Sequence, residues 1–264
     1  MTDTGRIVAV TGASSGIGLA AARLFRDRGD KVYCLSRTDP KEPGITFIHT
    51  DVTDEASVNA AFGAIGKAEG RIDVLLSNAG MGVSGAAECT TMQDAKRQLD
   101  VNFFGLHACV RAAVPLMRAH GGTILATSSV AAVFAIPFQA FYSASKFAVN
   151  ALVLALANEL KPFNIRVAAI MPGDVKTGFT GARIKAEDDD NYGQSIEKSV
   201  AVMEHDEQNG MGPEMIAKRF VALSLKKHPK VLSTVGLQYK FFCFLGKVLP
   251  IRLQNFIVGK MYIK

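Results

Sequence analysis

The amino-acid sequence predicts an α/β fold, and three observations carry that prediction. A short β-rich apolar run, Arg6 to Thr11, ends in a glycine turn from Gly12 to Gly18, and the turn leads directly into a good helix former, Leu19 to Phe25. Further short apolar runs with strand character then alternate with longer helical patterns. Finally, 264 residues that are 48% apolar can bury a substantial core, and no internal repeat or separate second domain interrupts them.

Strand, glycine turn and helix in that order are what a dinucleotide site needs. Glycines let the backbone turn tightly and approach a pyrophosphate, whose charge is met by the N–H groups and dipole at the helix start. Gly12, Ser14, Ser15, Gly16, Ile17 and Gly18 are therefore candidate phosphate-binding residues. Lys31 to Leu35 forms a second strand that ends in Ser36 and Arg37. An acid here would accept hydrogen bonds from adenosine ribose hydroxyls, whereas an Arg pairs with a 2′-phosphate. Arg37 and the missing acid favour NADP(H), with NAD(H) as the alternative.

Ile45 to Thr50 alternates as a third strand and leads to Asp51, Val52, Thr53 and Asp54, of which Asp54 caps a helix running to about Glu69. Ile72 to Leu76 is the next strand. It is followed by Ser77, Asn78, Ala79 and Gly80, small residues that let a cofactor ribose lie against the strand end. A long helical pattern from about Thr91 to His120 contains Asn102. Asn competes for backbone hydrogen bonds inside a helix, so Asn102 marks a local irregularity or a specific polar task.

Gly122 to Thr127 makes another strand and delivers Ser128 and Ser129 at its carboxyl end, the edge of an open parallel sheet where ligands bind. Tyr142 and Lys146 follow, four residues apart and so on one helix face. A phenol titrates near pKa ~10, and a fixed ammonium beside it would lower that value toward the range useful for proton transfer. Their helix continues to Leu160 and is apolar almost all round, which suits a core or a subunit interface. Next come a strand, Ile165 to Met171, and the segment Pro172, Gly173, Asp174, Val175, Lys176, Thr177. From 178 to 212 the pattern fades into charged and small residues, including the acids 187–190, and is read as a substrate lid. A helix from Glu214 to Lys227 and a strand from Val231 to Val235 close the main domain.

Residues 236–264 form a basic amphipathic extension. Phe241, Phe244, Leu245 and Val248 follow one helical face, Pro250 interrupts, and Leu253, Phe256, Ile257 and Met261 form a second. Such a hairpin can pack in the core, close a pocket mouth, meet a second subunit or lie peripherally on an anionic membrane. The net charge is +6 with pI about 9.1. Ten Lys or Arg and no acid follow Glu214, so residues 1–214 carry a net −4. Because the tail's aromatics form an apolar face and not a stacking surface, nucleic acid is not an expected partner.

Four scattered Cys, with no C-x-x-C and no nearby His cluster, indicate neither a metal site nor a disulfide framework, so a reducing cytoplasmic setting is expected. The start leaves no room for a secretory signal before the glycine turn. The uncharged stretch 119–145 could span a bilayer by length, but its Gly, Ser, Pro and Gln content reads as a buried strand and an active-site loop.

Taken together, the T-G-x-x-x-G-x-G turn at 11–18, Asn78-Ala-Gly80, Asn102, Ser129, Tyr142-x-x-x-Lys146 and Pro172-Gly-x-x-x-Thr177 resemble the short-chain dehydrogenase/reductase family over roughly residues 6–235. The family pattern has N-N-A-G where this chain has Ser77. The resemblance implies one doubly wound, Rossmann-type domain with a mostly parallel sheet, commonly a homodimer or homotetramer. It further implies that Asp51 contacts the adenine, that Thr177 lies near the nicotinamide carboxamide, and that Tyr142 exchanges the substrate proton. In the same way Lys146 lowers the Tyr142 pKa and binds the nicotinamide ribose, Ser129 holds the substrate oxygen, and Asn102 supports a proton path. The run Ser129 to Ala148 is most similar to hydroxysteroid and retinol dehydrogenases. Phe134, Ile136, Pro137 and Phe138, with the apolar tail, point to a small lipophilic substrate: a steroid or bile acid first, retinal or a lipid-chain ketone as the alternative. A nicotinamide-sensing protein on the same fold is the non-enzyme alternative.

Overall fold

The computed structural model describes residues 5–186 and 190–263. Glu187, Asp188 and Asp189 of the expected lid lie outside the described residues, as do Met1 to Thr4 and Lys264. The strands are β1 (Ile7–Thr11), β2 (Lys31–Ser36), β3 (Ile45–His49), β4 (Val74–Ser77), β5 (Val83–Ser84), β6 (Gly122–Thr127), β7 (Ile165–Met171), β8 (Ile184–Lys185) and β9 (Leu232–Thr234). The helices are α1 (Gly16–Asp27), α2 (Glu55–Glu69), α3 (Met92–Leu99), α4 (Gly105–Met117), α5 (Ala140–Glu159), α6 (Ser195–Gln208), α7 (Pro213–Ser224), α8 (Leu237–Val248) and α9 (Ile251–Tyr262).

One parallel sheet runs β3-β2-β1-β4-β6-β7-β9, and β5 pairs separately with β8. The chain leaves β3 at one edge and returns on the far side of β1. Strand order reverses there, which opens a crevice at the carboxyl ends of β1 and β4.

Period-2 alternation explains why the strands read as continuous apolar runs. Along β1, Ile7 and Ala9 face a layer containing Phe62 of α2, Val110 of α4 and Val153 of α5, while Val8 and Val10 face Phe25 of α1 and Phe220 of α7. Both faces are covered by helices, as in other all-parallel sheets. Phe25, Phe62 and Phe220 are fully buried, and truncating one to Ala would cost about 3–5 kcal/mol. The doubly wound α/β prediction is correct.

Local signals worked where side chains meet their own backbone. Asp54 caps α2 by accepting from the Ala56 N–H at 2.9 Å, and the helix ends at Gly70 with φ 71°. The irregularity expected at Asn102 is a π-helical turn, Asp100–Phe104, joining α3 to α4.

Three expectations need correction. The segment 178–212 is not patternless, because α6 presents Ile196, Ser199, Val200 and Met203 inward at helical spacing. Second, α5 is not buried all round: its inner face packs on β7, but Phe147 and Leu154 are exposed. Length and composition alone would let α5 cross a membrane, yet it carries buried Ser145, Lys146 and Asn150 against the sheet. Third, the basic tail is divided. Lys218 and Arg219 lie on α7, and Lys226, Lys227 and Lys230 precede β9 at the far end of the sheet from the crevice, leaving Lys240, Lys247, Arg252 and Lys260 on the described part of the extension.

Candidate active site

The carboxyl ends of the central strands converge on a cavity of about 1360 Å³. At one end the glycine turn bends through positive φ at Gly12 (63°) and Gly16 (54°), conformations that favour Gly. A Cβ on Gly18 would stand 2.4 Å from the Gly12 carbonyl oxygen and 2.6 Å from Asn78 Nδ2, so α1 can approach the strands only with Gly there. Ser15 occupies the N-cap position of α1, whose first turn carries no acid. The N–H groups at that end are therefore free of local carboxylate competition for a pyrophosphate.

The strand ends are stitched together. Thr11 Oγ1 accepts from the N–H groups of Asn78 (2.9 Å) and Ala79 (3.0 Å), and the Thr127 hydroxyl donates to Asn78 Oδ1 at 3.0 Å. Asn78 thus fixes β1, β4 and β6 relative to one another while its backbone lines the cavity.

Arg37, Asp51 and Val52 line the outer end. Burial acts to raise the Asp51 pKa, but hydrogen bonds from the Thr53 N–H and hydroxyl, with the charges of Arg37 and His49, hold it below the usual carboxylate value. The nearest following acid, Asp39, is engaged with the Lys41 N–H at 2.8 Å and does not line the cavity.

Ser129, Tyr142 and Lys146 meet at the middle of the cavity. Burial pushes the Tyr142 phenol up to about 12, opposed by a hydrogen bond from Ser129. Lys146 is buried and pushed down to about 8, its Nζ donating to the Thr127 carbonyl at 2.9 Å and standing 5.6 Å from the Tyr142 ring centre. The expected direction for Tyr142 is therefore corrected. Desolvation, which disfavours phenolate, outweighs the Ser129 hydrogen bond and the charge of Arg183.

Asn102 lies behind the wall. Its Oδ1 accepts from the Met81 N–H at 2.9 Å, and its Nδ2 donates to Met81 O (3.1 Å) and Ser145 Oγ (3.0 Å). A Cβ on Gly80 would touch both Asn102 Oδ1 (3.3 Å) and Lys146 Nζ (3.8 Å), so Gly80 lets the two side chains approach. Of the catalytic and cofactor-binding residues chosen from sequence, all but Gly18 and Asn102 line the cavity. Pro172, Gly173, Val175 and Thr177 form its floor, with Thr177 against Gly16. Ser128 is buried and also borders the cavity, its hydroxyl 3.5 Å from the Lys146 carbonyl.

At the other end the wall is apolar: Phe134, Ile136, Phe179, Met203, Phe242 and Leu245. Pro137 and Phe138 do not line it. Phe138 packs edge-on to Tyr192, ring centres 5.9 Å apart, in a small cluster with Ile196 and Val200. Sequence reasoning missed three groups. Phe179 lies against Tyr142 with ring centres 5.8 Å apart; Asp174, Asp206 and Glu207 put carboxylates on the wall; and Tyr239 covers Gly173. Asp174 sits inside the segment already singled out, and an acid among glycine and apolar neighbours was its available signal. The lining and the glycine turn fit a nicotinamide dinucleotide.

The chain is similar in sequence and fold to known proteins. Residues 6–188 match the family model described as short chain dehydrogenase. The chain is 39% identical over 236 residues to the 3-ketodihydrosphingosine reductase of Bacteroides thetaiotaomicron, covering 88% of each chain. It is 38% identical over 191 residues to the 17-beta-hydroxysteroid dehydrogenase type 1 of Mus musculus, covering 66% of this chain and 55% of that one. A short-chain dehydrogenase from Streptomyces avermitilis superposes with TM-score 0.85 at 26% identity over 98% of both chains.

Proposed function

Since the chain belongs to the short-chain dehydrogenase/reductase family, whose members are oxidoreductases that use NAD(H) or NADP(H), we propose that it reduces a long-chain lipophilic ketone with NADPH. The observation that carries this reading is the placement of Ser129, Tyr142 and Lys146 between a dinucleotide-shaped end and an apolar end of one cavity. A nicotinamide bound there would supply hydride to the carbonyl carbon. Ser129 and Tyr142 hold the carbonyl oxygen by hydrogen bonds, and Tyr142 gives its proton to that oxygen as the alcohol forms. With burial raising its pKa, the phenol is protonated at neutral pH and so carries the proton to be given. Lys146, balanced near pH 8, reprotonates Tyr142 and binds the ribose; Asn102 positions Gly80 and Met81 beside it. Phe179 and the aliphatic wall exclude water from the reacting carbon.

The choice of NADPH rests on Arg37 and the absence of a free acid at the end of β2. The preference for a lipid-chain ketone over a steroid rests on the extent of similarity to the 3-ketodihydrosphingosine reductase and on Asp174. A carboxylate on the wall near Tyr142 suits a substrate with an ammonium beside its ketone, as in a long-chain 2-amino ketone. A steroid ketone is the second reading, favoured by the resemblance to the mouse hydroxysteroid dehydrogenase. The exposed Phe147 and Leu154 of α5 are the surface we assign to a homo-oligomer contact.

NADPH consumption should be followed with a panel of long-chain 2-amino ketones, their desamino counterparts, steroid ketones and small polar carbonyls. The long-chain amino ketone should give the highest kcat/KM. Turnover of small polar carbonyls alone would remove the lipophilic reading, and faster turnover of steroids would promote the second one.

A further inference from the structure

Helices α8 and α9 carry apolar side chains on two sides. Inward, Phe242, Leu245 and Leu249 line the cavity. Outward, Phe241, Phe244, Val248, Ile251 and Phe256 are each more than half exposed, Ile251 reaching 79%. None of these five lines the cavity or joins a buried cluster. Scattered exposed hydrophobics are ordinary, but five large ones on two consecutive helices form a patch of the kind that marks a contact surface.

The charge around that patch chooses its partner. Lys240, Lys247, Arg252 and Lys260 are exposed on the same two helices, which contain no acid, so the hairpin from 237 to 263 carries +4. A second copy meeting the patch across a two-fold axis would bring like charges together. An anionic bilayer matches both properties, because apolar side chains enter the boundary between headgroups and acyl chains while lysines meet the headgroup charge.

The hairpin is tied together internally and is anchored to the body at defined points. Gln254 Nε2 donates to the Gly246 (3.1 Å) and Leu249 (2.7 Å) carbonyls, tying α9 to the end of α8. Tyr239 anchors the pair to the body through Asp174, and Tyr262 packs beside the cluster of Ile196 and Val200. Phe242, Ile257 and Met261 belong to both surfaces, for each lines the cavity and is more than a third exposed.

We propose that α8 and α9 dock on an anionic lipid bilayer through the outward face, and that a lipid-chain substrate enters the cavity from the bilayer between Phe242, Ile257 and Met261. The second half rests on the lipophilic-ketone reading; the first does not.

The test is flotation of the purified full chain with vesicles. The protein should rise with phosphatidylcholine vesicles containing phosphatidylglycerol, and several-fold less with phosphatidylcholine alone or at high salt. A Phe244→Glu/Phe256→Glu variant should stay at the bottom of the gradient while keeping the parental NADPH affinity and turnover of a short, water-soluble ketone. A Lys240→Gln/Lys247→Gln/Arg252→Gln variant, altered only at exposed polar positions, should lose the preference for anionic vesicles and still bind NADPH. It decides the matter should the Phe variant fail to fold. Absence of flotation by the parent, or equal flotation of parent and variants, overturns the docking. So does a parent that stays down and an outward Phe variant that dissociates an oligomer in sedimentation, since the patch is then a contact between copies. Flotation without turnover of any long-chain ketone would leave the docking intact and remove only the substrate route.

Discussion

The Tyr239 hydroxyl donates a 2.7 Å hydrogen bond to Oδ2 of Asp174, and its ring covers Gly173 so closely that a Cβ there would fall 2.1 Å from Cε1. The C-terminal extension is therefore part of the catalytic cavity. Burial, with the charges of Asp206 and Glu207, raises the Asp174 pKa above its ordinary value, partly offset by the Tyr239 bond. Asp174→Asn keeps an acceptor for Tyr239 and removes the charge. Loss of a charge-assisted hydrogen bond to an ammonium, worth about 1.5–3 kcal/mol, should lower kcat/KM for a 2-amino ketone by roughly 10–100-fold. Turnover of the desamino ketone should be unchanged; an equal loss for both would sink the ammonium contact.

Tyr142→Phe keeps the ring against Phe179 and removes the proton donor. Turnover should fall by about 10²–10⁴ while NADPH binding, followed by fluorescence titration, is retained. Undiminished turnover would remove Tyr142 from the mechanism.

Lys146 makes a stability prediction with a definite sign. Its folded pKa, about 8, lies below its ordinary 10.5, so between these values the unfolded chain binds more protons and stability rises with pH. Below pH 8 the buried ammonium is a burden. Lys146→Met should therefore raise the unfolding free energy at pH 7 by about 1–3 kcal/mol while abolishing activity. Urea denaturation should show the gap between variant and parent shrinking from pH 8 toward pH 10. A gap independent of pH would contradict burial as the cause.

Arg37→Ala should raise the KM for NADPH by roughly 10-fold or more and leave that for NADH nearly unchanged, because only NADPH carries the 2′-phosphate. Steady-state kinetics with both cofactors at a saturating ketone concentration decides this. Equal effects on the two would assign Arg37 to the adenine ring or to the fold.

The fold and the groups gathered in the cavity were legible because each depends on local chemistry. Glycines at 12, 16 and 18 are demanded by backbone torsion and close approach, Tyr142 and Lys146 share a helix face through spacing of four, and Asn102 announces its π-turn by being a poor helix former. Helix α6 was overlooked although Ile196, Val200 and Met203 are correctly spaced, because the charged residues between them mask the stripe.

By itself the amino-acid order determined the strand–turn–helix series and singled out the glycine turn, Ser129, Tyr142 and Lys146, which the fold brings to one cavity. Tertiary structure alone decided that burial pushes the Tyr142 pKa up, that Asp174 and Tyr239 meet across 65 positions, and that α8 and α9 face cavity and solvent at once. The division has a physical reason. Torsional demands and helical spacing act between near neighbours and can be read along the chain, whereas desolvation and the two-sidedness of a surface helix depend on which distant elements pack against a residue.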